Sequence, residues 1–381
     1  MGTTAQRRGR RPIVLAVARW PVGGIRTHLR DLFAAPALRG YDFVLVAPDE
    51  DGLGEYIAKG NLSCSRWIAT DASLLKMAQA VATASRRLRP TLVHSHGFAS
   101  GVASGLAYLV SRFPHLLTVH DLLFEAQFKG WGGRVAHLPI AASFLSPRYI
   151  QCVTNDSREN LLAWCPWLTS LERKTVVIPH GVDTVKINSA PRRDLLAELA
   201  CPPSTVIFGF LGRFMAQKGF DLLIDAMALL KRDGMSPARA RVLAVGSGGY
   251  IREERARIAA LGLEEFFTFW PQQFDIAPIL KGIHCLVMPS RWEASGLLAM
   301  EAMVAGTPII GSDCVGLRET LAGSPSVQVT ADDAAQLSAA LASFIARPDP
   351  HAATRFRDVA AQRFSADRSF AELRSLYDRF C

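Results

Sequence analysis

Two glutamates eight positions apart stand out within the segment Pro289–Asp313. Glu293 follows a short apolar run on a predicted loop, and either Ser295 or Gly296 stands where a helix is expected to begin. Glu301 lies among apolar residues in the middle of that helix, where a carboxylate is costly to bury without a partner. Paired ribose hydroxyls would supply that partner, and the amides of the helix's first turn would bind a diphosphate. The segment therefore predicts a helix that binds both ends of a nucleotide, with a structural Glu–Arg pair as the alternative.

Two cations follow an earlier predicted strand, Val206–Leu211. Arg213 comes directly after Gly212, and Lys218 stands five residues later, before a predicted helix. Positive charge at one sheet edge offsets the negative charge that grows on a diphosphate leaving group as its bond breaks. Each charge-assisted hydrogen bond contributes roughly 1.5–3 kcal/mol. An ordinary solvated surface charge is the competing interpretation of either residue taken alone.

Histidines end two of the predicted strands in the first half. His94 and His96 flank Ser95, and His120 closes the apolar run that begins at Leu116. A His-X-His pair is able to bind a metal, but no third ligand stands nearby in the sequence, so no metal site is predicted. Because both strands end in histidine at what should be the ligand side of the sheet, we expect His120 to contact a ligand.

Glycines follow two other predicted strands. Gly23 and Gly24 come after the first strand, where they let the backbone approach a ligand closely. The pattern is not G-x-G-x-x-G, so the dinucleotide fingerprint is absent, and a simple tight turn is the alternative. Gly246 opens a second glycine-rich turn after a later strand and is a weaker candidate for a donor contact.

Short apolar strands alternate with amphipathic helices along the chain, which predicts parallel, doubly wound sheets. The pattern breaks at Pro179–Pro191, where we expect a linker between two domains. Two Rossmann-like domains should leave a cleft, and open α/β sheets bind ligands beyond the carboxyl ends of their strands. The predicted strands are Ile13–Ala18, Phe43–Ala47, Leu92–His94, Leu116–His120, Tyr149–Val153 and Thr175–Ile178, then Val206–Leu211, Val242–Val245, Phe266–Trp270, Cys285–Met288 and Pro308–Gly311.

Composition limits the class of protein further. The chain has 381 residues, enough for two domains, with 49% hydrophobic and 20% charged residues, typical of a globular protein. The seven cysteines are an odd number without C-x-x-C spacing, which predicts reduced thiols in a cytoplasmic protein. The basic stretch Met1–Arg11 before an apolar run is compatible with a signal peptide, but we favour a tail before the first strand.

The net charge of +9 favours anionic partners. Nucleotide phosphates and anionic membrane surfaces fit this charge. Nucleic acid does not, because the basic residues are dispersed and no zinc-finger or RNA-recognition signature occurs.

Taken together, these motifs resemble those of the large family of retaining glycosyltransferases with the GT-B fold, which includes bacterial mannosyltransferases and lipopolysaccharide core glucosyltransferases. The resemblance spans nearly the whole chain and rests on Gly23-Gly24, Thr118–Asp121, Ile178–Asp183, Gly212-Arg213 with Lys218-Gly219, and the E-x7-E pair Glu293 and Glu301. It implies two Rossmann-like, doubly wound α/β domains at residues 1–185 and 186–360, facing a cleft. A C-terminal helix at 361–381 would pack back on the first domain.

The resemblance also implies a role for each candidate residue. Arg213 and Lys218 would hold the donor diphosphate, and Glu301 its ribose. Glu293 would position the transferred sugar, which His120 would contact near the reacting carbon. The remaining donor contacts would be Gly24, Gly246, Ser295, Gly296 and Leu297. The reaction would retain the anomeric configuration, with the leaving phosphate taking the acceptor proton, and would need no metal or other cofactor.

The sequence departs from the family's pattern at three places, which together comprise five residues. His180 stands where asparagine is usual, Ala294-Ser295 replaces Pro-Phe, and Trp270-Pro271 replaces a glycine near the expected nucleobase pocket. None of these changes removes a predicted catalytic group. The change at Trp270-Pro271 leaves open which nucleobase the protein prefers.

The resemblance implies a glycan or lipid-linked acceptor, in bacterial cell-surface polysaccharide or lipopolysaccharide biosynthesis. Aromatic and basic residues mix at Phe128–Trp131, Arg134, His137 and Arg148, as interfacial segments do. One hypothesis is peripheral contact with the inner face of the cytoplasmic membrane, and a plain surface helix is the alternative. Two other functions remain open: a GT-B fold nucleotide-sugar epimerase, and a non-catalytic nucleotide-sugar-binding protein.

Overall fold

The computed structural model describes residues 11–124, 138–166 and 171–380. The chain divides into two compact units. The first unit comprises Met1–His180 together with Ala366–Cys381, and the second comprises Gly181–Ser365. Each unit is built around one parallel sheet with helices on both faces, so the predicted fold class is confirmed.

The first unit has a seven-stranded sheet in which every neighbouring pair is parallel. The order β3-β2-β1-β4-β5-β6-β7 places β1 between β2 and β4, and Val14 of β1 lies beside Phe43 and Leu92. The strands are β1 Ile13–Ala18, β2 Asp42–Pro48, β3 Arg66–Thr70, β4 Leu92–His96, β5 His115–Val119, β6 Tyr149–Cys152 and β7 Thr175–Val177.

Helices connect these strands on both faces of the sheet. They are α1 Gly24–Ala34, α2 Leu53–Ala58, α3 Leu74–Leu88, α4 Phe98–Val110, α5 Asn155–Trp164 and α6 Leu171–Lys174, with a 3-10 turn at Pro36–Leu38 and a helical segment at 138–143. Helix α5 begins with a capping box, because Thr154 Oγ1 accepts from the Ser157 amide and Ser157 Oγ accepts from the Thr154 amide.

The second unit has a six-stranded sheet in the order β10-β9-β8-β11-β12-β13. Its strands are β8 Val206–Leu211, β9 Ala240–Val245, β10 Phe267–Trp270, β11 Cys285–Met288, β12 Ile309–Ser312 and β13 Val327–Val329. Alternate residues of β8 enter opposite cores, with Phe208 and Phe210 on one face and Ile207 and Leu211 on the other. A strand buried on both faces needs such a continuous apolar run.

The helices of the second unit cover both faces of that sheet. They are α7 Thr184–Ser189, α8 Leu195–Glu198, α9 Phe220–Arg232, α10 Ile251–Ala260, α11 Ala277–Gly282, α12 Leu297–Ala305, α13 Leu317–Leu321, α14 Ala334–Ala346 and α15 Pro350–Arg363, with 3-10 turns at Ala216–Lys218 and Glu264–Phe266. Helix α7 lies within the segment predicted as a linker.

The C-terminal helix, α16 Ala366–Tyr377, belongs to the core of the first unit and is followed by a 3-10 turn at Asp378–Phe380. Phe370, Leu373 and Tyr377 are buried in that core. The Tyr377 hydroxyl lies 2.6 Å from His94 Nδ1.

The sequence pattern did not predict two of the strands, β3 and β13. Both lie at the edge of a sheet and are partly exposed, so neither carries the unbroken apolar run that marks a central strand. Strand β5 ends at Val119, so His120 lies just beyond the strand rather than in it.

Candidate functional site

The predicted donor residues of the second unit lie where the order of its strands reverses. Strand β8 has β9 on one side and β11 on the other, so the loops that leave β8 and β11 diverge to opposite faces of the sheet. A crevice forms beyond the carboxyl ends of the strands at such a point, and ligands bind there. Lys218 follows β8 and Glu293 follows β11, which brings them together across 75 residues of sequence.

Lys218 and Glu293 form an ion pair at this point. Lys218 Nζ donates to Glu293 Oε1 at 2.6 Å, and Ser290 Oγ donates to the same oxygen at 2.8 Å. The Glu293 side chain is 8% exposed and that of Lys218 is 25% exposed. An ammonium group has three donors, so this pairing leaves Lys218 able to bind a second anion.

A network of contacts holds the loop that carries Glu293. Arg291 makes two hydrogen bonds to the Asp221 carboxylate, at 2.9 and 2.6 Å, and a third to Asp332 at 2.6 Å. The Arg291 amide donates to the Gln217 carbonyl, which ties this loop to the one that carries Lys218. A bidentate pair fixes geometry as well as charge, so the loop is held before any ligand arrives.

Two glycines allow this close packing. Gly219 has a φ of +64°, and a Cβ there would lie 2.0 Å from the Pro289 carbonyl oxygen. Gly316 has a φ of +82°, and a Cβ there would lie 1.9 Å from the Glu293 carbonyl oxygen. Any other residue would push the loop away, since such distances do not occur between real atoms.

Helix α12 follows Glu293 and carries Glu301, its only charged residue. Gly296 is the N-cap residue with a φ of +63°, and no side chain of the described residues caps the helix. Its first-turn amides, beginning at Leu297, thus keep the capacity to bind an anion. Ser295 was the other capping candidate; it is buried instead, and its carbonyl accepts from Thr320 Oγ1 at 2.5 Å.

Arg213 and Gly246 lie at the same end of the sheet. Arg213 is exposed, and no carboxylate in the described part of the chain lies within ion-pair distance of it. A Cβ at Gly246 would lie 1.8 Å from the Gly212 carbonyl oxygen. The close approach that Gly246 permits is therefore to the protein's own backbone, and this packing supports the turn next to Arg213.

The first unit brings four histidines together at the corresponding end of its sheet. His28 lies on α1, His96 ends β4, His120 follows β5 and His180 follows β7. His96 Nδ1 lies 3.1 Å from His120 Nε2, and His120 Nδ1 lies 3.1 Å from His180 Nε2. The His28 ring centroid lies 4.4 Å from that of His180 and 5.1 Å from that of His120. We call these four residues the histidine cluster.

Burial keeps the histidine cluster neutral. It lowers the pKa of His28, His96 and His120 well below the ordinary value, with a smaller contribution from neighbouring histidines. Burial also lowers the pKa of His180 to about 4. At neutral pH each ring therefore has one N–H and one lone pair.

Sequence reasoning identified His96 and His120 but missed His28 and His180 as their neighbours. His28 is a polar residue on the buried face of α1, four positions after Gly24, and that placement was the available signal. His180 was noted only as a departure from a family pattern. His94 differs from His96, because its ring nitrogens contact Tyr377 and Thr118 at 2.6 Å each. Gly24 begins α1 and is exposed.

Two further sequence findings concern membranes. The segment Phe128–Trp131 with Arg134 and His137 lies outside the described residues, while Arg148 is exposed. Among the helices that the structure describes, none combines the length and apolar character needed to span a bilayer.

Glycosyltransferase family models match both halves of the chain. Residues 205–347 match the family model "Glycosyl transferases group 1", and residues 22–186 match "Glycosyltransferase Family 4". The alpha-maltose-1-phosphate synthase of Mycobacterium tuberculosis (strain ATCC 25618 / H37Rv) is 29% identical, over 92% of each chain. The 2-deoxystreptamine N-acetyl-D-glucosaminyltransferase of Streptomyces fradiae is also 29% identical, over 89% of this chain and 87% of that one.

Among solved structures, that of Anabaena HepE in complex with UDP-glucose superposes with a TM-score of 0.80 at 20% identity, covering 96% of this chain and 100% of that one. At this identity the likeness shows the fold, which is that of GT-B glycosyltransferases. The chain therefore belongs to the group 1 glycosyltransferases, a class of two-domain transferases.

Proposed function

We propose that the chain transfers a hexosyl unit from a nucleoside-diphosphate sugar to a glycan or lipid-linked acceptor, with retention of anomeric configuration. The observation that carries this proposal is the arrangement around Lys218 and Glu293, where a cation and a buried carboxylate meet beside the uncapped start of α12. The Streptomyces fradiae relative is named as an N-acetylglucosaminyltransferase, and the HepE structure holds UDP-glucose, which supports a nucleotide-sugar donor.

The donor diphosphate would lie between Lys218 and the first turn of α12, with Arg213 adding a second positive charge. Glu301 lies on the helix that offers those amides, and its carboxylate would accept from the two ribose hydroxyls. Glu293 is fixed by Lys218 and Ser290 and would orient the hydroxyls of the sugar. His120 of the first unit would contact the sugar near the reacting carbon, as the family resemblance implies.

In the transfer, the bond between the anomeric carbon and the phosphate oxygen breaks, and a bond from that carbon to the acceptor oxygen forms on the same face. The acceptor proton passes to the departing phosphate, so the products are a nucleoside diphosphate and a glycoside. Arg213 and Lys218 stabilise the charge that develops on the phosphate. We propose that these two cations supply the charge that a divalent metal supplies in other transferases, and that turnover in EDTA is unchanged.

Incubation with a panel of UDP-, GDP- and ADP-sugars, with nucleoside diphosphate release as the readout, tests the proposal. We expect slow release with one donor, and its loss in Lys218→Ala and Glu301→Ala. Unchanged turnover in both variants would overturn the site assignment. A changed sugar without release would indicate an epimerase, and NMR of the glycoside would test retention.

We further propose that the acceptor is presented at an anionic membrane, in the synthesis of a bacterial cell-surface polysaccharide or lipopolysaccharide. The support is a group of exposed apolar residues on α4 and the neighbouring segment 138–146. Leu109, Leu138 and Leu145 are 69%, 70% and 68% exposed, respectively. Gly105 of α4 lies against that segment, since a Cβ there would be 3.6 Å from the Ala142 carbonyl oxygen.

Sedimentation with anionic liposomes tests membrane contact. Insertion of an exposed leucine contributes about 1.5–3 kcal/mol, so Leu109→Asp and Leu145→Asp should each reduce binding about tenfold or more. The matched control is Leu75→Asp on α3, because Leu75 is 74% exposed and lies outside this surface. Absence of salt-sensitive binding, or an equal loss in the control, would contradict the proposal.

A further inference from the structure

Arg19 lies where the strand order of the first unit's sheet reverses. Strand β1 has β2 on one side and β4 on the other, and the helices that follow β1 and β4, which are α1 and α4, pack against opposite faces of the sheet. A crevice forms beyond the carboxyl ends of such a pair of strands, and ligands bind there. Arg19 is the first residue after β1, so it stands at the expected ligand site of this unit.

Three contacts hold Arg19 in place. Its amide donates to Oγ of Ser100, a buried residue of α4, at 2.9 Å. Its Nε donates to the Ala72 carbonyl, between β3 and α3, at 2.8 Å. The guanidinium carbon lies 5.1 Å from the centre of the Trp20 ring, which is a cation–π distance. Because the side chain is already ordered, less conformational entropy is lost when it binds a ligand.

These contacts leave most of the Arg19 donors unused. A guanidinium has five N–H groups, and only the one on Nε has an acceptor among the described residues. In the same ranges of the chain, no carboxylate lies within ion-pair distance of Arg19. The planar fork of terminal nitrogens matches the two oxygens of a phosphate or a carboxylate. Arg19 is therefore able to bind such a group through paired hydrogen bonds.

Arg26, seven positions later, shows the contrasting arrangement of a structural arginine. Its three guanidinium nitrogens each donate to a backbone carbonyl, those of Pro21, Asp51 and Glu50, at 2.7–2.9 Å. The Arg26 residue is only 9% exposed. Arg26 thus uses every side-chain nitrogen to tie the loop after β1 to the loop after β2. Arg19 uses one nitrogen for the fold and keeps two for a ligand.

Trp20 places an apolar surface beside these donors. It is 46% exposed, and no other tryptophan in the described ranges is exposed. Arginine and tryptophan are both enriched among the residues that dominate binding energy at interfaces. An aromatic ring next to a cationic fork suits a ligand that has both apolar ring faces and an anionic group, as a sugar with a phosphate or a carboxylate does.

We propose that Arg19 binds an anionic group on the acceptor sugar, so that the acceptor is a sugar with a phosphate or a carboxylate. This inference rests on the proposed transfer function and adds the class of acceptor to it. A free sugar phosphate, a sugar joined to a lipid through a phosphodiester and a uronic acid share this chemistry.

Calorimetric titration of the full-length Lys218→Ala chain tests the proposal, because that substitution removes a cation that would bind phosphate at the donor site. The probes are glucose 1-phosphate, its methyl phosphodiester, glucuronate and neutral glucose, and their relative affinities distinguish the three sources of the anion. At least one anionic probe should bind more tightly than glucose. Arg19→Leu should weaken that binding at least about tenfold and leave glucose binding unchanged, since it removes charge-assisted hydrogen bonds. Arg19→Lys, which keeps the charge without the fork, should lie between the two.

The matched control is Arg112→Leu in the same background. Arg112 also lies over an aromatic ring, at 4.5 Å from the centre of Tyr108, but it precedes β5 and so lies at the opposite end of the sheet. Its loss should leave binding of the anionic probe unchanged, and melting temperatures establish that each variant is folded.

Three results would overturn the proposal: no anionic probe binds more tightly than glucose, Arg19→Leu leaves the binding of the anionic probe unchanged, or Arg112→Leu weakens it equally. The titration uses no sugar donor. It is therefore able to fail while the unsubstituted chain still releases nucleoside diphosphate, which distinguishes failure of this proposal from failure of the proposed transfer function.

Discussion

Variants of the ion pair between Lys218 and Glu293 should affect stability and transfer activity differently. The variant Lys218→Met removes the ammonium and keeps the aliphatic stem. The Glu293 carboxylate then retains Ser290 as its donor but loses its charged partner at 2.6 Å. Removing one member of a buried pair costs roughly 3–5 kcal/mol. Because the Lys218 side chain is 25% exposed, we expect a smaller loss, about 2 kcal/mol.

Scanning calorimetry of the full-length chain measures this loss. About 2 kcal/mol corresponds to a decrease of about 4–8 °C in the melting temperature of a unit of this size. Glu293→Gln should cost about 1 kcal/mol, since the remaining ammonium reaches solvent. The double variant should be less destabilised than the sum of the two, with a coupling of about 1 kcal/mol or more.

Lys59 and Glu55 form the matched control, because their Nζ–Oε1 distance is also 2.6 Å but both side chains are largely exposed. A double-mutant cycle of Lys59 and Glu55 should show no measurable coupling free energy. Additive losses at Lys218 and Glu293 would refute the inference that the pair is coupled in the folded state. Transfer should remain abolished in the double variant, and restored turnover would contradict a direct role for Lys218.

Three further predictions concern single features. The free energy of unfolding should fall as the pH decreases from about 6.5 toward 4, because His180 becomes protonated in the unfolded state but, with a pKa of about 4, stays neutral in the folded state. In His180→Gln this decrease, measured by chemical unfolding, should be smaller by about 3 kcal/mol. Gly316→Ala should destabilise the second unit more than Gly323→Ala, because both have positive φ but a Cβ meets a backbone oxygen only at Gly316; equal melting temperatures would contradict this. Arg213→Ala should reduce nucleoside diphosphate release about 100-fold without changing the melting temperature, whereas the exposed Arg252→Ala should change neither.

Much of the fold was predictable because central strands of a parallel sheet are buried on both faces. Such strands carry unbroken apolar runs, as in β1, β8 and β11, and these runs are visible in the sequence. The edge strands β3 and β13 carry no such run. Each pairs with the strand that precedes it in the sequence, β3 with β2 and β13 with β12, and that pairing leaves no apolar pattern in the edge strand itself.

The candidate site was predictable only in its parts. The sequence by itself determined that Arg213, Lys218, Glu293 and Glu301 follow strands or lie on the helix next to one, since strand ends and helix starts have local signals. The tertiary structure alone decided that Lys218 pairs with Glu293, and that Arg291 pairs with Asp221. These contacts depend on the strand order, which places β8 beside β11.

The histidine cluster shows the same limit more strongly. Its four members come from α1 and from the ends of β4, β5 and β7, and no short segment contains more than one of them. Sequence spacing revealed a His-X-His pair with no third ligand, and the missing neighbour came from a helix 68 positions earlier than His96. Parallel strands direct all their carboxyl ends to one edge, so residues that are distant along the chain meet there, and only the folded sheet shows which ones do.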